Sequence, residues 1–441
     1  MPRLALLPLT VLLVACGGDK DGGIVPKTTP TADTGTSDTS PTDTGTPTPL
    51  PCDPLPAATG ITVTPSDSLE ASLADAASGD VFLLEPGTYD VAATLLLDTP
   101  VTIRSTTDIA SDVVIDMGYA PGDLVQVAAS DVTLAHLTLT HSGDALVRTT
   151  PSGASITGVR LHDLRLIDPA GVAVVIAPSA DETAFADDGA VTCSRLELTN
   201  DGRDEVIGLC GTGGIDGSFA RNWEVRDNTV DGFWCDRELP DAPGIRFSRG
   251  SRDVQILRNV ILDSPRGIVA GETPDQLGRR YDDDPCGDVF AQAIDTVVVN
   301  NVVSAWRDAL VFDSSRGIEY GIRAESSCNL RLIHNSVAHR VQPTALASIE
   351  HRYPITSGMI GNNFVSHAVL RSDDSTADVD TNIEQAPPTA WFFPTQDDFH
   401  LAPAATDAID LGSTAFLSEV PDDIDGEARD AAPDVGADER L

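Results

Sequence analysis

Short runs in which Val, Ile or Leu alternate with polar residues recur along the chain in one fixed spelling. Val225-x-x-Asn228-x-Val230 returns as Ile256-x-x-Asn259-x-Ile261, Val298-x-x-Asn301-x-Val303, Leu332-x-x-Asn335-x-Val337 and Ile360-x-x-Asn363-x-Val365. Upstream, leucine takes the asparagine place in Leu134-x-x-Leu137-x-Leu139, Leu161-x-x-Leu164-x-Leu166 and Cys193-x-x-Leu196-x-Leu198. Counted on the last position, the units follow at steps of 27 to 42 residues. Period-two alternation marks a strand that buries one side. A fixed strand with returns of variable length is how a solenoid coil reads, with insertions confined to turns. Each unit runs on to a further short apolar strand, such as Gly244-Ile245-Arg246-Phe247 or Gly267-Ile268-Val269-Ala270. One unit cannot bury its apolar side alone, whereas stacked units share a core and pair their backbones at ~4.8 Å. The pattern predicts an all-β chain folded over 57–370 as a right-handed parallel β-helix solenoid. Asn228, Asn259, Asn301, Asn335 and Asn363 then share one repeated turn as a structural ladder, where asparagine accepts a left-handed backbone and can bond its stacked neighbours.

Both ends of the repeat carry their own signals. Asp67-x-x-Glu70 with Leu69, Leu73 and Ala77 predicts a short N-terminal capping helix over the first coil. Residues 371–441, with Asp423-Ile424-Asp425-Gly426 and Asp434-Val435-Gly436-Ala437-Asp438-Glu439, are expected to form an acidic C-terminal closing segment. Exposed solenoid edges need such covers to avoid edge-to-edge pairing.

At the N-terminus, Arg3 precedes an apolar run over 4–15. That run is too short to span ~30 Å of hydrocarbon but suits a signal peptide. Its end, Leu13-Val14-Ala15-Cys16, resembles a lipobox, so 1–15 reads as a lipoprotein signal and Cys16 as the lipidated residue. Gly17, where aspartate would resemble an inner-membrane retention signal, favours the outer membrane. Residues 16–56 are Thr, Pro, Asp, Gly and Ser with almost no large apolar side chain, a disordered tether. The expectation is an exported, surface-anchored monomer that touches the membrane through its lipid only.

Composition narrows the partners. Acidic residues outnumber basic ones 68 to 28, a net charge of −40, which argues against nucleic acid and anionic membrane surfaces. Lys20 and Lys27 are the only lysines, so the folded part relies on arginine, 18 of which fall between positions 195 and 352 beside 25 acids. Beyond Cys16 stand Cys52, Cys193, Cys210, Cys235, Cys286 and Cys328. An even number in an exported chain fits a disulfide framework. Cys193 with Cys210 and Cys235 with Cys286 are the preferred pairs, each bracketing a loop-rich insertion, while Cys328 could be bridged or a buried thiol.

Gly79-Asp80, Pro86-Gly87-Thr88-Tyr89, the Asn-bearing coils and the closing Asp425-Gly426 and Gly436-Ala437-Asp438-Glu439 together resemble the pectin-lyase-like superfamily. Asp231-Gly232-Phe233-Trp234-Cys235, Gly250-Ser251-Arg252-Asp253 and Ser348-Ile349-Glu350-His351-Arg352 further resemble a group of bacterial exported β-helix proteins. The resemblance covers 57–441 and implies the fold and a polysaccharide ligand.

Many relatives of this fold cleave acidic polysaccharides by elimination. That reaction neutralises a uronate carboxylate, removes the C5 proton and protonates the leaving oxygen. Arginine suits the first task through its bidentate fork, and a lysine base is impossible in a lysine-free domain. Ca2+ could replace the cationic neutraliser, with Asp282, Asp283 and Asp284 as the acidic loop for it. Hydrolysis instead needs two carboxylates ~5–5.5 Å or ~6.5–9.5 Å apart, spacings that one or two coils supply. If the strands near Ile245, Ile268, Leu310, Ile322 and Ile349 stack, alternation points Arg246, Asp313, Arg323, Glu325 and Glu350 outward, with His351 beside Glu350. The paired-aspartate and Gly-His-Gly motifs of polygalacturonases and the Asp-Pro-His motif of alginate epimerases are missing. Two functions follow: a surface lipoprotein that binds and cleaves an anionic polysaccharide, or a non-catalytic glycan-binding or structural surface protein such as an adhesin.

Overall fold

A computed structural model describes residues 54–208, 210–235, 242–287, 289–308, 310–311, 317–393 and 398–440. The signal run, Cys16, Cys52, the tether to position 53 and Asp313 lie outside the described residues.

Nearly every strand joins one of three long parallel sheets, of twelve strands (sheet A), ten (sheet B) and ten (sheet C). Each coil visits them in turn: Glu224–Arg226 lies in A, Thr229–Asp231 in B and Ile245–Ser248 in C, and Gln255–Leu257 resumes A. Parallel crossovers of this kind wind right-handed. The result is a right-handed parallel β-helix.

The apolar positions of the repeat form continuous columns inside it. In sheet A, Leu134, Leu161, Val191, Val225, Ile256, Val298, Leu332 and Ile360 stand in register. In sheet C, Val125, Val147, Val174, Ile215, Ile245, Ile268, Ile322 and Ile349 do the same. All sixteen are buried. Each contributes ~1.5–3 kcal/mol of burial, available only because its neighbours in the column exclude water together.

One unit of the repeat sits two residues away from its expected place. Val191, not Cys193, pairs with Leu161 and Val225, and Leu196, not Leu198, pairs with Leu166 and Val230. Ser194 therefore occupies the ladder place. Its N–H donates to Asn228 Oδ1 at 2.9 Å and its hydroxyl accepts from Leu164 N–H at 3.1 Å. Leu198 mimics the repeat position because it is itself apolar and buried, at the start of the next turn.

The ladder runs through buried amides. Asn228, Asn259, Asn301 and Asn335 each donate Nδ2–H to the Oδ1 of the next asparagine at 2.9–3.0 Å. Asn363 extends it to Asn382, which the repeat spelling missed, at 2.8 Å. The left-handed residue is the one before each asparagine: Asp227, Arg258, Asn300, His334, Asn362 and Thr381 all have φ between 51° and 58°. Other turns use aspartate at positive φ, among them Asp163, Asp168, Asp253, Asp263 and Asp295. Aspartate is one of the few side chains that tolerate this backbone, so part of the acidity is a demand of the turns.

The ends depart from expectation in detail. The helix Leu69–Ala74 is capped by Ser68, whose hydroxyl accepts from Ala71 N–H, while Asp67 turns back to Thr64. The start of the C-terminal segment adds a closing partial coil, with Asp378–Asp380 pairing onto Met359–Gly361 and Asn382 ending the ladder, and the acidic remainder follows it. That remainder runs back along the turn between sheets A and B: Arg258 pairs with Asp422 at 3.0 Å, Arg429 donates to Asn300 Oδ1 at 2.9 Å, and Ser336 Oγ accepts from Ala437 N–H. The final strand of sheet A, Asp378–Asp380, stays exposed. The reason is in the ladder residues' neighbours, whose polar tips find partners along this side and not at the end.

The disulfides also differ from the expected pairs. Cys210 bonds Cys235, and Cys286 bonds Cys328. Consecutive coils place residues distant in sequence side by side, so bridges link an insertion to the neighbouring coil instead of closing one insertion on itself.

Candidate functional site

Insertions flank sheet C on both sides. Turns at 199–212, 232–244 and 306–319 lead from sheet B into it, and the segment 272–291 leaves it for the next coil. Loops that border a rigid sheet are the setting in which such scaffolds carry ligand-binding groups.

On sheet C Asp216 aligns with Arg246, and Ser218 with Ser248. Arg246 grips Asp216 with two bonds, Nε to Oδ1 at 2.9 Å and Nη2 to Oδ2 at 2.6 Å. These residues, with Val175, Glu272 and Gln276, line a cleft of about 190 Å³. A second opening of about 540 Å³ lies upstream over Arg148 and Ala177.

Two coils further on, Arg323 aligns with Glu350, and Glu325 with Arg352. Arg323 pairs with Glu350 at 2.7 Å and with Glu325 at 3.4 Å, and Arg352 reaches Glu325, Glu350 and Asp373. Arg323 also lies 3.6 Å over the Tyr320 ring. Burial pushes the Glu325 carboxyl above the ordinary range, and the guanidiniums of Arg323 and Arg352 pull against it. Arg246, Arg323, Glu325 and Glu350 thus share one sheet face, and Arg352 joins them. The sequence could have flagged Arg352, because it follows Glu350 at the same period of two.

His351 and Leu310 depart from that face. The alternation that turns Glu350 outward turns His351 inward, where it is buried and its Nδ1 meets Ser375 Oγ at 2.8 Å. Burial holds its pKa below the usual histidine value. Leu310 belongs to the turn region and not to a sheet C strand. The Asp282–Asp284 run does not converge on a metal: Asp283 pairs with Arg252 at 2.8 Å and Asp284 caps Cys286 N–H.

A further cavity of about 330 Å³ lies beside the turns into sheet C, lined by Glu197, Asp231, Trp234, Asp263 and Arg307 among others. Arg307 bridges Asp231 at 2.7 Å and Asp263 at 3.0 Å. Burial pushes Asp263 up to about 6, against the pull of Arg307. Asp263 also holds the turn. Asp263 Oδ1 accepts from the N–H groups of Trp306 and Arg307, as Asp168 does from Thr199. The recurrence of aspartate one or two residues beyond Leu166, Val230 and Ile261 was the available sequence signal.

Three parallel sheets closed into one solenoid define the class: this is a parallel β-helix protein. No family model matches the chain, and no curated protein matches it. It is similar in structure to the pectate lyase Pel9A, with 14% identity over 86% of this chain and 96% of that one at a TM-score of 0.45. It is also similar to PfbA, a surface adhesin of Streptococcus pneumoniae, with 12% identity over 74% and 91% at 0.46. A rhamnogalacturonan lyase gives 13% over 85% and 96% at 0.43. At these identities the likeness is one of fold.

Proposed function

We propose that this chain is an exported, lipid-anchored polysaccharide-binding protein whose ligand lies along sheet C. The observation that carries the reading is the open trough over sheet C, a cleft lined by Asp216, Ser218, Arg246 and Ser248 of adjacent coils and by Glu272. A row of side chains repeating at ~4.8 Å suits a ligand that also repeats. Disulfides are consistent with an oxidising compartment, and Cys16 behind a signal peptide would supply the anchor.

The charge balance bears on the ligand. Arg246, Arg266, Arg323 and Arg352 are all ion-paired, against Asp216, Glu319, Glu325, Glu350 and Asp373. Guanidiniums already engaged are poor neutralisers of a uronate, so an anionic chain would need a cation such as Ca2+ with it. A neutral, hydroxyl-rich chain can use the free lone pairs of the same carboxylates directly.

Cleavage is the second reading, and one observation favours hydrolysis over elimination. Asp231 and Asp263 come from adjacent coils and share Arg307, and burial raises Asp263 to about 6. Asp231 pairs with Leu262, one residue before Asp263, so the two carboxylates meet at Arg307 from neighbouring coils, and glycoside hydrolysis needs such a pair. Asp263 would be the acid and Asp231 the second carboxylate.

The test is to titrate the full chain with neutral glycans and polyuronates, with and without Ca2+, and to follow reducing ends and unsaturated-uronate absorbance. Saturable binding that Arg246→Ala weakens tenfold or more supports the trough. Binding to no glycan, or binding indifferent to Arg246→Ala and Glu350→Gln, refutes it. Reducing-end growth abolished by Asp263→Asn supports hydrolysis.

A further inference from the structure

The hairpin and closing segment that follow the last coil bring one histidine and several carboxylates together far from the trough. The strand Asp398–Leu401 pairs antiparallel with Trp391–Phe393. Alternate residues of the first strand, Asp398 and His400, turn to the same side, and Asp398 Oδ1 meets His400 Nδ1 at 2.8 Å. The other imidazole nitrogen, Nε2, is 2.7 Å from Asp425 Oδ2. Asp438 completes a trio with His400 and Asp425 in which one ligand atom from each lies within 4.8 Å of the others. His400 and Asp438 are buried, while Asp425 is partly open to solvent.

We infer that His400, Asp425 and Asp438 form a site for a divalent transition-metal ion, with Zn2+ and Mn2+ the fitting chemistry. The imidazole is oriented as a ligand needs: one ring nitrogen is held by the Asp398 carboxylate, and the other lies against Asp425, with Asp438 completing the trio. A carboxylate behind a histidine fixes the tautomer and raises the basicity of the coordinating nitrogen. One nitrogen with two carboxylate oxygens, each ~2.0–2.2 Å from the ion, leaves a position for water or for a third carboxylate. A nitrogen ligand selects against Ca2+ and Mg2+, which prefer oxygen alone.

Charge points the same way. Asp398, Asp423, Asp425 and Asp438 gather here, and Arg429 is committed to Glu439, Asn300 and the carbonyls of Gly436 and Ala437. A dication would neutralise what one imidazolium neutralises by half. It would also clip the closing segment, through Asp425 and Asp438, to the hairpin that carries His400. The partly open Asp425 offers the path of entry. This site is independent of the glycan reading.

The experiment uses the tag-free full chain, stripped with chelator and titrated with Zn2+, Mn2+ and Ca2+ by calorimetry. The expected result is one equivalent of Zn2+ bound at micromolar Kd or tighter, a raised unfolding midpoint, and Ca2+ at least tenfold weaker. Asp425→Asn, which keeps shape and hydrogen bonding, should weaken Zn2+ tenfold or more with an unchanged circular dichroism spectrum. Co2+ loaded into the unmodified chain should give visible ligand-field bands of nitrogen–oxygen coordination, a readout that needs no variant. No saturable Zn2+ or Mn2+ binding, or binding equal in Asp425→Asn, would show a buried imidazolium held by carboxylates instead and overturn the site.

Discussion

Removing the amide of Asn301 tests how the solenoid is held. Its Oδ1 accepts from both the backbone N–H and the Nδ2–H of Asn259, each at 2.9 Å. Its own Nδ2 donates to Asn335 Oδ1, Ile256 O and Val299 O at 2.9–3.0 Å. Asn259, Asn301 and Asn335 are all fully buried, so water cannot replace what is lost. In Asn301→Ala, two donors of Asn259 are left without an acceptor. An orphaned buried group costs ~1–3 kcal/mol, which gives a loss on the order of 3–5 kcal/mol once the cavity is added. Asn301→Leu should cost nearly as much. Leucine fits the equivalent turn at Leu137 and Leu164, but no asparagine on the preceding coil there presents an amide to it. At the open end of the ladder, Asn382 is only half-buried, and Asn382→Ala should cost about 1 kcal/mol because water can reach Asn363's donors. Native-state hydrogen exchange at the Asn259 amide, together with urea unfolding, measures both. A solenoid can open locally, and the exchange readout separates local from global loss. An Asn301→Ala within ~0.5 kcal/mol of the parent, or as mild as Asn382→Ala, would refute the ladder's role.

Three other outcomes follow from the same structure. Cys286→Ser with Cys328→Ser opens a bridge of sequence separation 42; loop-entropy arithmetic puts the loss at about 4 kcal/mol, readable as a lower urea midpoint, and an unchanged midpoint would contradict it. Burial holds His334 and His339 down to about 3, so the unfolded chain takes up their protons first. Their stability is fully present above ~6.5 and is lost as pH falls toward 3, at up to about 1.4 kcal/mol per pH unit per histidine. His339→Gln should flatten that slope in a pH series of thermal unfolding, and an unaltered slope argues against it. Asp263, raised to about 6, carries the opposite sign. Its ionisation penalises the fold as pH rises from ~4 through 6, so Asp263→Asn should gain on the parent by up to about 3 kcal/mol over that window; a difference independent of pH would sink this.

Much of this protein is legible without coordinates. The x-x-Asn-x spelling, the period-two alternation and the steps between units determine strands, turns, ladder and solenoid, because a coil's local pattern is also its packing pattern. The outward aim of Arg246, Arg323, Glu325 and Glu350 follows from the same parity, and parity also turns His351 inward once the strand Ala347–Arg352 has its register. Neighbourhood across coils was decided by the tertiary structure alone. It slipped one unit so that Ser194 could meet Asn228, joined Cys210 to Cys235, and set Asp231 against Asp263 through Arg307. It also laid the acidic C-terminus along the side of the coils, where Asn300, Ser336 and Arg258 wait with unspent hydrogen bonds. Strand parity is a property of successive residues, whereas these contacts join residues tens of positions apart, and only the stacking of coils determines which of them meet.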